Sequence, residues 1–472
     1  MSSERGNRPN LVIRGGTVVV GGAKAEVFGP GDVWISNSLI EEITPPGQKP
    51  LPEGCEVIDA TDGIVMPGLI DTHRHLWQTP IRGLGADLTA PEYRSRLRAA
   101  FGPFMTPDDV YTATLAGALE ALDSGITTIL DWAHIMNSPE HADASVAALR
   151  ATGMRCVFAF STPNDQEADS WYSRSTRPQP PDVKRVRRDV LSDDSALVTM
   201  AFGARAPQLL SREIMVHDWN LARELGLRIT VDGGLGGGQW GPRHYPIRLL
   251  RDENLLRDDT TYIHCNNLAE DEYKSIAESG GSISMSPCAE MHVGHGLPAT
   301  GRALAAGIRP ALSIDYVTQV AGDMFGTMRS VLATERGLRS RAAFEAGKGV
   351  EPWTIRTGDA LEFATLRGAA AIGYPERTGS LEAGKQADIT ILDTTSLRLS
   401  PVNDPLATCV LYASPGDVDT VIVAGKVRKR AGVLVDHDVG KLRRELIALR
   451  DRLFAVGAAD NQKADGYATY SW

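Results

Sequence analysis

The sequence lacks the features that mark secreted, membrane-spanning and nucleic-acid-binding proteins. Its five cysteines are scattered and odd in number, which argues against a disulfide framework. No run approaches the ~20 apolar residues that cross a bilayer, and residues 1–10 lack the apolar core of a secretory signal. A formal net charge of −10 does not suggest a surface for nucleic acid or anionic lipid. We therefore expect a cytoplasmic protein without a nucleic-acid or membrane partner.

A long alternation of strands and helices fills the middle of the chain. Between about residues 65 and 375, about eight strand–helix units follow one another, which favours a (β/α)8 barrel over an open doubly wound sheet. A Gly-x-Gly-x-x-Gly loop, the mark of the second architecture, does not follow the first strand. The predicted fold class is α/β, a (β/α)8 TIM-like barrel.

The two ends of the chain are rich in short β-strands instead, and they most simply assemble into one small β-sandwich. Within the second end, residues 410–412 are predicted as a strand. The predicted division has four parts: residues 1–65 and 378–435, the two parts of the sandwich; residues 66–377, the barrel; and residues 436–472, a C-terminal helix and tail.

The first barrel strand ends in a His-x-His pair, in the run Met-Pro-Gly-Leu-Ile-Asp-Thr-His-Arg-His at residues 66–75. Because side chains alternate along a strand, His73 and His75 point to the same side, so two imidazoles can converge on one ion. Taken alone, two such histidines are more often residues without a ligand. Later strands, however, end in His264 and Asp315, at the edge where barrel active sites lie. Together these residues predict a metal site.

Four motifs in this order make the sequence resemble the metal-dependent amidohydrolases, in the branch of cytosine and guanine deaminase-like and triazine hydrolase-like enzymes. The resemblance extends from about residue 10 to about residue 430. The motifs are residues 66–75, Tyr-Ile-His at 262–264, Ser-Ile-Asp at 313–315 and Gly-Ser-Leu-Glu-Ala-Gly-Lys-Gln-Ala-Asp at 379–388.

The resemblance implies a role for each residue of the site. It makes His73 and His75 metal ligands, Asp315 both a ligand and the general base, and His264 the residue that orients the attacking water or the substrate. Two neutral imidazoles and a carboxylate keep a position open for water and lower its pKa toward neutrality. We expect one divalent metal, most simply Zn²⁺, with Mn²⁺, Fe²⁺ and Co²⁺ as alternatives.

The fifth strand departs from the family pattern. The family usually carries a further ligand histidine at its end, followed three residues later by a glutamate that protonates a ring nitrogen. Here these positions are Asp232 and Leu235. A carboxylate also ligates zinc, so we predict Asp232 as a metal ligand, with loss of a ligand as the alternative. The missing glutamate disfavours deamination of purines and pyrimidines.

Other residues that follow predicted strand ends are expected to line a substrate pocket, and each has an alternative interpretation as ordinary loop packing. They are Trp77, Gln78, His134, Arg205, Trp240, Glu290 and His295. The tryptophans suggest an apolar or aromatic substrate larger than a free base.

The predicted function is hydrolysis of an amide-type or amidine-type C–N bond in a small organic or modified-peptide substrate, through a metal-activated water. One alternative is deamination or dechlorination of an N-heterocycle, with Glu290 replacing the missing glutamate. Another is a metal-free binding protein derived from the fold. A homodimer is the default expectation for the oligomeric state.

Metal content tests the role of Asp232. We expect about one divalent ion per chain in the wild-type protein, its retention in Asp232→His and its loss in Asp232→Ala, because binding requires the full ligand set. Elemental analysis of protein purified without added metal measures this. Metal that appears only in Asp232→His would show instead that the fifth strand has lost a ligand.

Overall fold

The computed structural model describes residues 9–172, 174–234 and 244–461. The chain begins with five strands rich in β-branched side chains, which favour the pleated, half-buried surface of a sheet. β1 runs antiparallel to β2 and pairs in parallel with β4 and then β5 along its other edge. The strands are β1 (Leu11–Gly21), β2 (Glu26–Ser36), β3 (Leu39–Thr44), β4 (Glu56–Asp59) and β5 (Gly63–Pro67).

Eight parallel strands then form the barrel, each paired with its neighbours in chain order. They are β6 (Leu69–Arg74), β7 (Ile126–Ala133), β8 (Arg155–Phe160), β9 (Val198–Ala204), β10 (Ile229–Gly233), β11 (Thr260–His264), β12 (Ser282–Met285) and β13 (Ala311–Leu312). The ring closes at Asp315: the His75 N–H donates to its carbonyl and its own N–H donates to the His73 carbonyl, both over 2.9 Å. The predicted (β/α)8 barrel is confirmed.

The last strands of the chain return to the first sheet. They are β14 (Ile389–Asp393), β15 (Val418–Val423), β16 (Lys426–Arg430) and β17 (Val433–Leu434). β14 pairs antiparallel with β5, so both ends of the chain build one nine-stranded sheet. An apolar cluster of its own, which includes Val33, Val65 and Ile389, is buried beside it. The predicted division at residues 65, 377 and 435 stays a prediction.

Helices connect the strands and cover the barrel. They are α1 (Ala90–Tyr93), α2 (Ala99–Phe101), α3 (Pro107–Asp123), α4 (Pro139–Thr152), α5 (Ala168–Trp171), α6 (Asp182–Arg185), α7 (Arg212–Glu224), α8 (Pro246–Asp252), α9 (Glu270–Ser279), α10 (Pro287–Val293), α11 (Thr300–Ala305), α12 (Met324–Glu345), α13 (Thr357–Ala364), α14 (Leu366–Ala371), α15 (Pro405–Ala407) and α16 (Val439–Asn461). In the described part of the chain, none combines the length and apolar character needed to cross a membrane.

Residues 410–412, predicted as a strand, are helical. They belong to the π-type turn Thr408–Tyr412, which continues α15. The Asp404 carboxylate caps α15 by accepting from the Ala407 N–H over 3.0 Å, and this cap starts the helical backbone. Three apolar residues are too few to distinguish a strand from a helix by their period.

The sequence around α3 shows how a barrel helix is positioned. The Thr106 hydroxyl accepts from the Asp109 N–H, and the Asp109 carboxylate accepts from the Thr106 N–H over 2.7 Å. Pro107 occupies the first helical position, where its missing N–H is harmless. Gly125, at φ 87°, turns the chain into β7. These local signals fix where α3 begins and where the chain enters β7.

A buried ion pair joins the barrel to the small sheet. Arg155 Nε, at the start of β8, lies 2.8 Å from Asp388 Oδ2, just before β14. Asp388 Oδ1 also accepts from the Ala424 N–H over 2.7 Å. The two charged residues are 3% and 2% exposed, so each depends on the other for compensation of its charge.

Asp388→Ala should lower the free energy of unfolding by about 3–5 kcal/mol, because Arg155 would stay buried without its counter-ion. Glu345→Ala, which breaks an exposed ion pair with Arg341, is the control and should cost less than about 1 kcal/mol. Urea denaturation measures both values. Similar losses in the two variants would show that the buried pair contributes no more than a surface pair.

Candidate active site

A cavity opens at the C-terminal ends of the barrel strands, the edge where (β/α)8 enzymes bind their substrates. Residues predicted from the sequence contribute much of its wall: His73, His75, His134, Arg205, Asp232, His264, His295 and Asp315. Three others are buried behind wall residues: Trp77, Gln78 and Glu290. Trp240 and Leu235 lie outside the described residues.

Asp315 is the centre of a cluster of possible metal ligands. Its Oδ1 lies 3.4 Å from His73 Nε2 and 3.3 Å from His75 Nε2. Its Oδ2 lies 3.6 Å from His264 Nε2, which is 3.9 Å from Asp232 Oδ1. Side chains from β6, β10, β11 and the segment after β13 therefore meet at one point of the cavity.

Two of these residues have an unusual backbone. His264 and Asp315 adopt the left-handed region, with φ values of 69° and 73°. Residues other than glycine rarely do so, and the conformation costs about 1–3 kcal/mol each. The chain bends at both strand ends, and such strain is concentrated at functional sites.

The donor atoms suit a divalent cation. Two groups of three residues each have ligand atoms within 4.8 Å of one another: His73, His75 and Asp315, and His73, Asp232 and His264. Asp315 Oδ2 and Asp232 Oδ1 are buried without a hydrogen-bond partner in the described structure. Buried carboxylate oxygens need a partner, and a cation would supply it.

The protonation states also favour metal binding. Burial lowers the pKa of His73 to about 3, so its imidazole is neutral, as a ligand must be. His75 Nδ1 lies 2.9 Å from the Trp132 carbonyl, so Nδ1 carries the proton and Nε2 is free to ligate. Burial raises the pKa of Asp315, but the neighbouring His73, His75 and His264 outweigh it and hold this pKa well below its usual range. The effect on Asp232 is opposite, because burial raises its pKa and so favours the protonated form, whereas a ligand must be ionised.

Glu290 acts on the cluster through His264. Its Oε1 lies 3.2 Å from His264 Nδ1 and accepts from the Ser286 N–H over 2.8 Å, and its Oε2 accepts from Asn266 Nδ2 over 3.0 Å. Burial lowers the pKa of His264, but Glu290 and Asp315 outweigh it and raise this pKa to about 9. Without metal, His264 is therefore an imidazolium whose Nε2 faces Asp315.

His134 presents a defined hydrogen-bond donor. Its Nδ1 accepts from Trp77 Nε1 over 2.8 Å, and an indole N–H can only donate, so the His134 proton resides on Nε2. Burial and the nearby charge of Arg98 hold the pKa of His134 well below its usual value. The neutral ring stacks on His75 with centroids 4.0 Å apart. Trp77 thus acts on the cavity by orienting His134.

Arg205 and Gln78 donate hydrogen bonds within the protein, although Arg205 Nε has no partner among the described residues. Arg205 Nη2 lies 2.7 Å from Asp218 Oδ2 and 2.7 Å from the Arg177 carbonyl. Gln78 Nε2 donates to the Tyr93 hydroxyl. Both side chains therefore support the wall of the cavity.

Sequence reasoning missed Arg98, Tyr172 and Tyr316, which also line the cavity. Arg98 and Tyr172 lie within long connections after β6 and β8, where no strand end marks a position. Tyr316 directly follows Asp315, so a search of residues beside the ligands would have found it.

The chain matches the sequence profile described as the Amidohydrolase family over residues 64–428. It belongs to this family. As an amidohydrolase, the protein is a hydrolase that acts on a C–N bond of a small molecule, and the family together with the His/Asp cluster supports a divalent metal. The family, the fold and this general reaction confirm the expectations from the sequence.

Curated relatives align with most of this amidohydrolase. The 5-methylthioadenosine/S-adenosylhomocysteine deaminase of Symbiobacterium thermophilum is 29% identical, over 88% of this chain and 93% of its own. The 5'-deoxyadenosine deaminase of Methanothermobacter thermautotrophicus is 27% identical, over 86% and 90%.

Solved structures show the same fold. An adenosine deaminase from Xanthomonas campestris with bound zinc matches at a TM-score of 0.81 and 24% identity, covering 95% of this chain and 99% of that one. An atrazine chlorohydrolase from Arthrobacter aurescens matches at 0.80 and 20% identity, covering 93% and 100%.

The raised pKa of His264 predicts a pH dependence of stability. A histidine with a pKa of 6.5 when unfolded and about 9 when folded stabilises the folded state below pH 6.5, and this contribution is lost as the pH rises to 9. Chelator-stripped wild-type protein should therefore lose more stability over this interval than Glu290→Gln, in which His264 lacks its carboxylate partner. Thermal unfolding at both pH values measures the difference. Equal losses of stability in the two proteins would contradict the conclusion that Glu290 raises the pKa of His264.

Proposed function

We propose that this amidohydrolase is a mononuclear enzyme that hydrolyses an amide-type or amidine-type C–N bond in a small organic or modified-peptide substrate. The observation that supports the proposal is the convergence of histidine and aspartate side chains on one point of the cavity. The end of β9 and the residues after it, 198–207, contain no lysine that could bridge a second metal.

Four residues would hold the metal: His73, His75, Asp232 and Asp315. The ion, when bound, supplies Lewis-acid activation of water. Asp315 accepts a proton from the attacking water and delivers it to the leaving nitrogen. His264, oriented by Glu290, stabilises the negative charge that develops on the substrate.

His134 orients the substrate in this proposal. Its neutral Nε2–H donates to the acceptor atom beside the reacting carbon, which is the oxygen of an amide or the imine nitrogen of an amidine. Such a donor favours substrates that carry an acceptor atom on the reacting carbon, such as amides and amidines, over simple amines, which have none.

Aminopurine nucleosides are a second candidate class of substrate. The two relatives carry names of deaminases that act on 5-methylthioadenosine, S-adenosylhomocysteine and 5'-deoxyadenosine. The amino-bearing carbon of a 6-aminopurine is an amidine carbon, so ammonia release from it is the proposed reaction type. Leu235 cannot protonate a ring nitrogen, and this argues against the class unless His134 supplies the hydrogen bond.

We also propose the identity of the metal and the state of the protein. Imidazole and carboxylate ligands suit Zn²⁺, and the adenosine deaminase from Xanthomonas campestris carries zinc. The cysteines are all unpaired, which is typical of the reducing cytoplasm. A homodimer is proposed on the general prevalence of twofold assemblies.

Asp315→Asn should lower kcat by about 100- to 10,000-fold, because it removes the general base. The assay follows release of ammonia or amine by Zn²⁺-loaded protein from a panel of amides, amidines, 5'-methylthioadenosine and 5'-deoxyadenosine. Asp193→Asn, which changes an exposed carboxylate, is the control and should keep wild-type activity.

Other results would favour the alternatives. Ammonia release from common free nucleobases as the main activity would contradict the proposed substrate class. Ammonia release that is lost in Glu290→Gln would favour deamination of an N-heterocycle with Glu290 as the acid. Heat stability that does not change on treatment with a chelator would favour a metal-free binding protein.

A further inference from the structure

Arg98 lines the active-site cavity but has no part in metal binding or in the proposed proton transfers. It ends the π-type turn Arg94–Arg98, which follows α1. Its carbonyl accepts from Asn164 Nδ2 over 3.0 Å, so the backbone is anchored. Its guanidinium lies 4.9 Å from the centre of the Tyr172 ring and donates to the Tyr172 hydroxyl over 3.2 Å. The position of this charge is therefore well defined.

Most hydrogen-bond donors of Arg98 are unused. A guanidinium has five N–H donors, and among the described residues only Tyr172 accepts from this one, while the buried Nε has no partner. No described carboxylate forms an ion pair with Arg98, and residues 235–243 contain no acidic residue. The negative charge of Asp232 acts on Arg98 through space, but Asp232 is a proposed metal ligand, and a partly buried charge without a counter-ion of its own is unfavourable. The cavity therefore offers a ready position for an anion.

Arg205 provides a contrast within the same wall. Its guanidinium lies 2.7 Å from the Asp218 carboxylate, 2.7 Å from the Arg177 carbonyl and 3.1 Å from Ser175 Oγ. Its charge is compensated and its donors hold a loop. Arg205 Nε has no partner either, but the charge of Arg205 is compensated by Asp218, whereas no described carboxylate forms an ion pair with Arg98.

The charge balance of the cavity supports the same assignment. The carboxylates of its described lining are Asp232 and Asp315, which both belong to the metal cluster. A bound divalent ion would compensate these two charges, so no carboxylate of the described lining would balance Arg98. Arg94 also lines the cavity. The whole chain has a net charge of −10, so the positive charge of Arg98 is opposite in sign to the net charge of the protein.

We propose that Arg98 binds a carboxylate or phosphate group of the substrate, which is therefore an anion. This inference rests on the proposed function, because it concerns the same cavity. The free N–H groups of Arg98 receive the anion in the paired geometry typical of arginine, while the Tyr172 ring keeps the guanidinium plane in place.

Two matched sets of compounds test the inference with Zn²⁺-loaded enzyme. The first shares a 6-aminopurine nucleoside: 5'-deoxyadenosine is neutral, adenosine-5'-carboxylate carries a carboxylate and adenosine 5'-monophosphate carries a phosphate. The second is N-benzoylglycine and its methyl ester, which share an amide. We expect KM to be about 10- to 100-fold lower for an anionic member than for its neutral partner. Preference within the first set distinguishes carboxylate from phosphate.

Variants of Arg98 separate binding from support of the fold. Arg98→Gln should raise KM for the anionic compounds about 10- to 100-fold, with little change in kcat or in the KM of neutral compounds. Arg98→Glu should reverse the preference toward neutral compounds, which loss of a purely structural contact would not do. Arg96→Gln is the control, since Arg96 is 44% exposed and does not line the cavity.

Equal KM values for neutral and anionic compounds in the wild type would overturn the inference, as would an equal effect of Arg98→Gln on both. If the wild type hydrolyses none of these compounds, the proposed function is wrong for these substrates. The inference about Arg98 is then tested by ligand binding alone. A rise in melting temperature with adenosine 5'-monophosphate or N-benzoylglycine that Arg98→Gln abolishes supports it. A rise that persists in Arg98→Gln, or no rise in the wild type, overturns it.

Discussion

One buried carboxyl residue, Asp315, joins the closure of the barrel to the assembly of the site. Its backbone N–H and carbonyl pair with the strand that carries His73 and His75, and its carboxylate lies against the ring nitrogens of the same two histidines. A displacement of Asp315 would therefore both open the barrel and move its carboxylate away from His73 and His75. The strained backbone of Asp315 is maintained because both sets of contacts hold it.

The strand with the two histidines is held from its other side by buried charges. Arg74 points away from the cavity, as strand alternation requires, and pairs with Glu120 at 2.8 Å and with Asp71 at 3.8 Å. Asp71 Oδ1 accepts from the Ile314 N–H over 3.1 Å, on the segment that leads to Asp315. These contacts link the first and last segments of the barrel. They explain how the ligand geometry is maintained by the protein itself.

Asp232 changes the charge of the site relative to the family pattern. With a neutral histidine in its place, a divalent ion and Asp315 would leave one net positive charge. With Asp232 and Asp315 both as ligands, as proposed above, the two carboxylates would compensate the charge of a divalent ion, and less positive charge would remain to stabilise an anion formed during the reaction. In that case the imidazolium of His264, beside the cluster, would carry more of that task.

Much of the architecture could be read from the sequence because its signals are local. The strand–helix alternation gave the barrel, the cap at Thr106 gave α3, and strand ends pointed to the histidines and Asp315. The helical state of residues 410–412 could not be predicted in this way, since a short apolar run has no clear period. The helical backbone starts upstream, where Asp404 caps α15.

Tertiary structure alone decided which loop side chains meet. Arg98 and Tyr172 are 74 residues apart, yet they are in contact. Glu290, expected in the pocket, lies behind His264, because the turn after β12 folds back on the end of β11. The sequence by itself determined the family and the barrel, and it pointed to the candidate metal ligands, because these features depend on period and on strand ends. The partners and charges of the remaining cavity residues depend on the packing of distant loops, which no local pattern encodes.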